Sequence, residues 1–177
     1  MACCTREARP SSCTARADSG VARAQAPDAV SAAGEPRIRS AAIGDASDVA
    51  RLLEALGYPC DRDDAAERIA VVLGDPRQHL LLAEIDGEAC GLVALDVRYS
   101  LVRGADQARV TALVVAPACS RRGIGRRLLR EVEAISRRAG VARIEVTSNA
   151  QRHEAHAFYH GCGYADGSRH FFKLLGD

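Results

Sequence analysis

The sequence predicts a mixed α/β fold, a mostly antiparallel central sheet with helices on both faces. Two observations carry that expectation. Apolar, strand-length runs at 79–85 and 88–99 flank Asp86-Gly87, the strongest short hairpin signal in the chain. Later, a β-branched run at 109–115 passes through a glycine-containing turn into a helix-period pattern, then into a second strand pattern at 143–148. A right-handed crossover makes those two strands parallel, and a sheet connected in this way takes helices on both sides.

The bulk numbers bound the rest. With 177 residues the chain suits one domain with a substantial core. Lys and Arg number 24 against 23 for Asp and Glu, a net charge of +1, so no global field draws the chain to nucleic acid or a membrane surface. No apolar run approaches the roughly 18 residues of a membrane span. Seven cysteines without a C-x-x-C pair read as reduced thiols in a cytoplasmic protein, not as a disulfide framework or zinc ribbon. Residues 1–36 are Ala, Arg, Ser and Pro with almost no large apolar side chains. Ordering them buries too little surface to offset the entropy lost, so disorder is expected there and a single folded domain at 37–177. The tail lacks the apolar centre of a secretory signal, and Glu7, Asp18, Asp28 and Glu35 do not suit a transit peptide.

Taken in order, 37–42 reads as a short first strand. Asp45 is a good helix N-cap, and Val49, Leu52, Leu53 and Leu56 share one face of the helix it opens, which Gly57 and Pro59 stop. A second helix at 63–73 buries Ala65, Ile69 and Val72 and ends at Gly74 and Pro76. After the hairpin, a loop at 100–107 leads into the central strand. The long helix at 123–139 buries Ile124, Leu128, Val132 and Ile135. A last helix at 152–162 carries Ala155, Phe158, Tyr159 and Cys162 on one stripe, with closing strands at 164–166 and 170–174.

The chemistry concentrates where the central strand ends. Pro117 stops the apolar run because it cannot donate to a sheet ladder. Ser120-Arg121-Arg122-Gly123-Ile124-Gly125 then makes a basic turn at a helix start. Unpaired N–H groups and the helix dipole favour an anion there, and Gly123 and Gly125 let the backbone approach a phosphate. A Rossmann fingerprint needs a third glycine where Leu128 stands, and a P-loop needs Gly-Lys-Ser/Thr, which is absent. What survives is a pyrophosphate cradle followed by arginines.

On these residues the chain resembles the GNAT superfamily of acyl-CoA-dependent N-acyltransferases, whose core motif is Gln/Arg-x-x-Gly-x-Gly/Ala after a strand. The leading motif position is Ser120 here, and Arg121 and Arg122 keep the turn basic. The likeness follows the order of elements from about Arg37 to Leu174 and is tight from Val110 to Tyr164. It implies a GNAT-like sheet in which the central strand splays from its parallel neighbour. The pantetheine arm of acetyl-CoA would lie in that gap against the backbone of Leu113, Val114 and Val115, with a strand N–H such as that of Val114 polarising the thioester carbonyl. The pyrophosphate would meet the N–H groups of Arg121, Arg122, Gly123, Ile124, Gly125 and Arg126. The physics agrees, since an amide-bearing arm wants a strand edge and a diphosphate wants a helix N-terminus.

A second signature, Asn-x-x-Ala-x-x-x-Tyr ahead of Gly-Tyr, is matched by Ala155, Tyr159 and Gly163-Tyr164. Its Asn position is Arg152 and an Asn stands earlier at Asn149; the resemblance puts both on the cofactor side. It makes Tyr159 the general acid. Amine attack on a thioester expels a thiolate that needs a proton, and a phenol with a pKa near ~10 is protonated at neutral pH. On an apolar stripe, Tyr159 also reads as a core aromatic. For the base, the family's strand positions hold Arg109, Thr111 and Ala112, none of them a carboxylate, which leaves Asp96, Glu145 or a water chain.

The implied activity is acetyl transfer from acetyl-CoA to a primary amine of a small molecule or peptide, by direct attack in a ternary complex and without a metal. The alternative is a non-catalytic acyl-CoA-binding sensor or interaction module on the same fold. The acceptor pocket is expected from 46–64 and 99–107, where Asp61, Asp63 and Asp64 either attract a cationic amine or cap a helix. Family likeness also points to a homodimer. His156 and His160 have a zinc-capable spacing but no third ligand, and Cys119 and Cys162 flank the site without a base partner. Arg126, Arg127, Arg130 and Arg137 read as a solvated helix face, with those near its start suited to the 3′-phosphate of CoA.

Overall fold

Asp86-Gly87 makes the expected two-residue turn between β2 (Gln78–Ile85) and β3 (Glu88–Ser100), with Ile85 opposite Glu88. The computed structural model describes residues 34–167 together with 171, 173 and 175. The tail expected at 1–36 lies outside them up to residue 33, as does most of the strand expected at 170–174. Around the hairpin, β1 (Arg37–Ser40), β4 (Ala105–Val115) and β5 (Ile144–Val146) complete a sheet in the order β1-β2-β3-β4-β5. Neighbours are antiparallel except β4 and β5, which run parallel, as the crossover rule requires.

Both faces of the sheet are covered, and the side chains of β2 and β3 divide between them. Helices α1 (Ala46–Leu56) and α2 (Arg62–Leu73) set Val49, Leu52, Ala65 and Ile69 against Leu80, Leu82, Leu92 and Val114. On the other face, α3 (Ile124–Arg138) sets Ile124, Leu128, Leu129 and Val132 against Leu81, Ala83, Val93 and Leu95. Two covered faces explain why β2 reads as a continuous apolar run rather than an alternating one. Helix α4 (His153–Gly161) lies on the α3 side, with Phe158 and Tyr159 packed on that core.

Four expectations need correction. Asp45 precedes α1 but its carboxylate does not cap it: it accepts from Ala42 N at 2.7 Å and takes a two-pronged pair from Arg39 at 2.8 Å. Arg39 also reaches Glu84 on β2 at 2.8 Å, so these charges tie the sheet edge to the start of α1. The loop expected at 100–107 is instead a four-residue turn, 101–104, because β3 and β4 pair out to Ser100 and Ala105. The strand expected at 143–148 stops at Val146, where its pairing with β4 ends. Residues 164–166 form no strand: the Tyr164 N–H is taken by Tyr159 O at 3.0 Å in closing α4, with Gly163 left-handed at φ 90°.

Helix α3 sits unusually close to the sheet at Gly91. A Cβ there would meet Leu128 Cδ1 and the Val114 carbonyl oxygen at 3.1 Å and Ile124 Cγ2 at 3.2 Å. Gly91→Ala should therefore lower unfolding stability by about 1–3 kcal/mol, as overpacked sites do, seen as a lower urea midpoint at unchanged slope.

Candidate active site

The site begins with one supernumerary residue. Ala94 of β3 faces Ala112 of β4, but Leu95 faces Val110, so Thr111 has no partner and forms a β-bulge. Before the bulge Ala108 and Val110 face the α3 core; after it Leu113 and Val115 do, while Ala112 and Val114 turn to the α1/α2 core. Pairing with β5 covers Ala108 to Val110 and goes no further. Beyond Val110, β4 keeps β3 on one side and, among the described residues, has an open edge on the other.

Backbone alternation says which groups line that edge. Ala116 N donates to Cys90 O on the β3 side at 2.8 Å. Successive strand residues point opposite ways, so Val114 also turns its N–H and C=O to β3, and Leu113 and Val115 present theirs to the gap. Val114, expected at this edge with its neighbours, is turned inward and its side chain is buried.

The strand then meets Pro117–Cys119, a single 3₁₀ turn, and the basic turn follows. Arg121 (φ 61°) and Gly123 (φ 75°) are both left-handed, which swings the chain into α3. Space around the Gly123 Cβ position is open, so conformation and not crowding accounts for this glycine. The first helical bond is Arg127 N to Gly123 O at 3.1 Å, and the N–H groups of residues 121–126 have no backbone acceptor among the described residues. Ile124 anchors the turn with a buried side chain, while Arg121, Arg122 and Arg126 are exposed. Arg127 turns away, donating to Pro36 O at 3.0 Å and to Glu35. Gly125 has a packing role that its sequence neighbourhood did not reveal: a Cβ there would lie 3.1 Å from Phe158 Cζ. The ring of Phe158 thus holds α4 against the first turn of α3.

On α4, Tyr159 stands beside Phe158 (ring centroids 5.4 Å apart) and Tyr164 (5.8 Å). Tyr164 in turn donates to Glu133 of α3 at 3.3 Å. Burial pushes the Tyr159 phenol above its ordinary pKa, with the Arg152 guanidinium opposing the shift. Arg152 is the N-cap residue of α4. Asn149 shapes the preceding turn: its side chain accepts from Gln151 N at 3.0 Å and its carbonyl meets the His156 ring at 3.0 Å.

These elements enclose one open cavity of about 950 Å³. Its walls include Leu113, Val114, Val115, Arg121, Gly123, Ile124, Gly125, Arg126, Arg152 and Tyr159 from the sequence reading, and they do not include Arg122 or Asn149. Ala55, Leu56 and Tyr58 at the end of α1 close the far side, as expected for 46–64, but nothing from 99–107 reaches it. Asp61, Asp63 and Asp64 are off the cavity as well; Asp61 caps α2 through Asp64 N at 2.8 Å and Asp63 pairs with Arg62. Nor do the two candidate bases line it: Asp96 pairs with Arg98, and Glu145 with Arg143 at 2.8 Å. His160 meets Asp166 at 3.0 Å while His156 meets Asn149, so the two rings are used separately. The Cys90 thiol, buried beside Cys119, is pushed up to about 11 by desolvation and is not a thiolate at neutral pH.

A splayed parallel pair leading to an unpaired helix start is the geometry expected of one family, and comparison bears it out. The acetyltransferase (GNAT) family model matches residues 47–164. The chain belongs to the GNAT acetyltransferase family. It is 33% identical over 141 residues to an aminoglycoside N(6′)-acetyltransferase type 1 of Stenotrophomonas maltophilia, covering 77% of this chain and 91% of that protein. It is 32% identical over 139 residues to an aminoalkylphosphonate N-acetyltransferase of Salmonella typhimurium, covering 78% and 90%. Among solved structures, AAC(6′)-Iy in complex with the bisubstrate analogue CoA-S-monomethyl-acetylneamine superposes with a TM-score of 0.71 at 17% identity, over 81% of this chain and 100% of that one.

Within this GNAT domain no helix among the described residues is long and apolar enough to cross a membrane. The contact between Gly125 and Phe158 is independent of any ligand. Gly125→Ala should therefore destabilise the unliganded enzyme by about 1–2 kcal/mol, measured by urea denaturation without cofactor. Unchanged stability would show that the ring gives way freely.

Proposed function

We propose that this acetyltransferase moves the acetyl group of acetyl-CoA to the primary amine of a small molecule, by direct attack in a ternary complex. The observation that carries the reading is continuity. The open β4 edge at Leu113 and Val115 runs straight into the unpaired N–H groups of 121–126, matching an amide-bearing arm followed by a diphosphate. Arg121, Arg126 and Arg152 line the same cavity, and none has a carboxylate partner among the described residues. The CoA-containing analogue bound to a structural neighbour and the names of the two relatives support the cofactor and the amine acceptor.

In this mechanism the N–H of Leu113, rather than that of Val114, polarises the thioester carbonyl at the open edge. The amine nitrogen forms a bond to the carbonyl carbon, the C–S bond breaks with its electron pair on sulfur, and Tyr159 gives the thiolate a proton. The proton lost by the amine leaves through water, since Asp96 and Glu145 are paired away from the cavity. Tyr159 recovers its own proton from solvent. The carboxylate on the cavity wall, Glu154, is exposed at the start of α4 and belongs to the rim.

Two tests separate cofactor binding from chemistry. Gly123→Asp adds a negative charge at a left-handed position that Asp and Asn tolerate, and Gly123→Asn adds the same shape without charge. Acetyl-CoA should raise the melting temperature of the wild type and of the Asn variant, and should fail to raise that of the Asp variant. No shift in the wild type at saturating acetyl-CoA would defeat the reading. In a screen of primary amines including aminoglycosides and aminoalkylphosphonates, Tyr159→Phe should lose on the order of 100-fold or more in kcat with acetyl-CoA affinity kept. Because burial raises the phenol, the alkaline limb assigned to it should lie above pH ~10 in the wild type and vanish in the variant. A non-catalytic sensor would show no turnover for Tyr159→Phe to remove.

A further inference from the structure

We infer that Ser148 is a residue of the reacting centre, its hydroxyl donating a hydrogen bond to the sulfur of the bound thioester and of the thiolate that it becomes. The inference rests on the acetyl-CoA reading and begins from an anomaly. Ser148 Oγ is buried and, among the described residues, has no hydrogen-bond partner. Its residue lines the cavity. A buried hydroxyl without a partner is a net loss to the fold, so native chains keep few of them, and a catalytic role is one reason for keeping one.

The neighbours on either side make the omission specific. Thr147 Oγ1 accepts from the Arg109 guanidinium at 2.7 Å, and Asn149 Oδ1 accepts from Gln151 N at 3.0 Å. The fold therefore satisfies the polar side chains before and after Ser148 and leaves this one, in the lining of the cavity, without a partner. Ile144 and Val146 pack on the α3-side core, and Thr147 turns the other way to meet Arg109. Ser148 follows two residues past the end of β5, in the lining of the cavity that Phe158 and Tyr159 also line.

Position then selects the ligand atom. The pantetheine amides take the β4 edge at Leu113 and Val115 across the gap, and the phosphates take the start of α3. What remains between the end of β5 and Tyr159 is the thioester end. When the amine attacks and the C–S bond breaks, the electron pair lands on sulfur in a partly desolvated pocket. Tyr159 supplies the proton; Ser148 keeps its own and stabilises the developing charge by donation, a bond that strengthens as the sulfur becomes anionic.

The test compares CoA with desulfo-CoA, which lacks the sulfur, by calorimetry on the wild type and on Ser148→Ala, with melting temperatures measured without ligand. The wild type should prefer CoA by about two- to tenfold, and the variant should bind the two ligands nearly equally. The unliganded variant should melt at the same temperature or higher, since a partnerless hydroxyl has been removed. On any amine that the wild type acetylates, kcat of the variant should fall on the order of 10- to 100-fold. A surviving CoA preference in Ser148→Ala overturns the inference, and so does a lowered melting temperature, which would make Ser148 a structural hydrogen-bonding residue. Failure of the wild type to bind either ligand is a distinct result, and it removes the acetyl-CoA reading itself.

Discussion

Everything at this site depends on Thr111 being one residue too many. An antiparallel pair with equal residue counts keeps both strands in register, and β4 would then continue alongside β5 to its end. The unmatched residue bends β4 instead, and the parallel pairing stops at Val110 and Val146. Leu113 and Val115 are left with backbone groups that no strand among the described residues takes up. A fold tolerates such groups only at water or at a ligand. The same residue resets the alternation, so the side chains of Leu113 and Val115 still serve the α3 core while their backbone faces the gap. Core and binding edge are therefore made of the same residues without competing for the same atoms.

The second requirement is electrostatic, and it runs against the fold's own stability. Helices α1, α2 and α4 each carry an acidic residue in the first turn, which suits the positive end of a helix dipole. Helix α3 has none there and is preceded and opened by arginines. Within the described part of the chain, Glu35 meets Arg127 and nothing neutralises Arg121, Arg122 or Arg126. Positive charge gathered at a positive helix end is a site that an anion would relieve. Tight packing keeps that end in place: Ile124 and Leu128 lie against Gly91 below, and Phe158 lies against Gly125 above.

Much of this was readable in the residues. The Asp86-Gly87 turn, the parallel pair and the α3 stripe of Ile124, Leu128 and Val132 follow from period and turn chemistry, and the structure contains all three. The bulge was harder to read because it involves neither glycine nor proline. Its trace is a change of spacing: Ala108 and Val110 are two apart on the α3 side, and the next inward residue is Leu113, three further on. Which of Leu113, Val114 and Val115 faces the gap depends on that shift, so a reading by run alone includes all three. The contact of Gly125 with Phe158 is not legible in the residues, because the two are 33 positions apart and only the fold brings them together. Ser148 was passed over for a related reason. An unpartnered hydroxyl is a property of surroundings, and no local pattern marks it.

The cavity draws its walls from both sides of the sheet. The relatives at 33% and 32% identity are named for different acceptors, an aminoglycoside and an aminoalkylphosphonate. Identity at that level carries the acetyl transfer and leaves the acceptor open. In this chain the far wall is Ala55, Leu56 and Tyr58, placed where α1 ends and the chain turns toward α2. Substitutions there alter side chains at the end of a helix and leave the α3 core intact, whereas a side chain added at Gly91 or Gly125 would press on Leu128, Ile124 or Phe158. Further along the chain, Asp61 and Asp63 are spent on the helix start and on Arg62. Tyr58, exposed at the mouth, offers an aromatic face and a hydroxyl in their place.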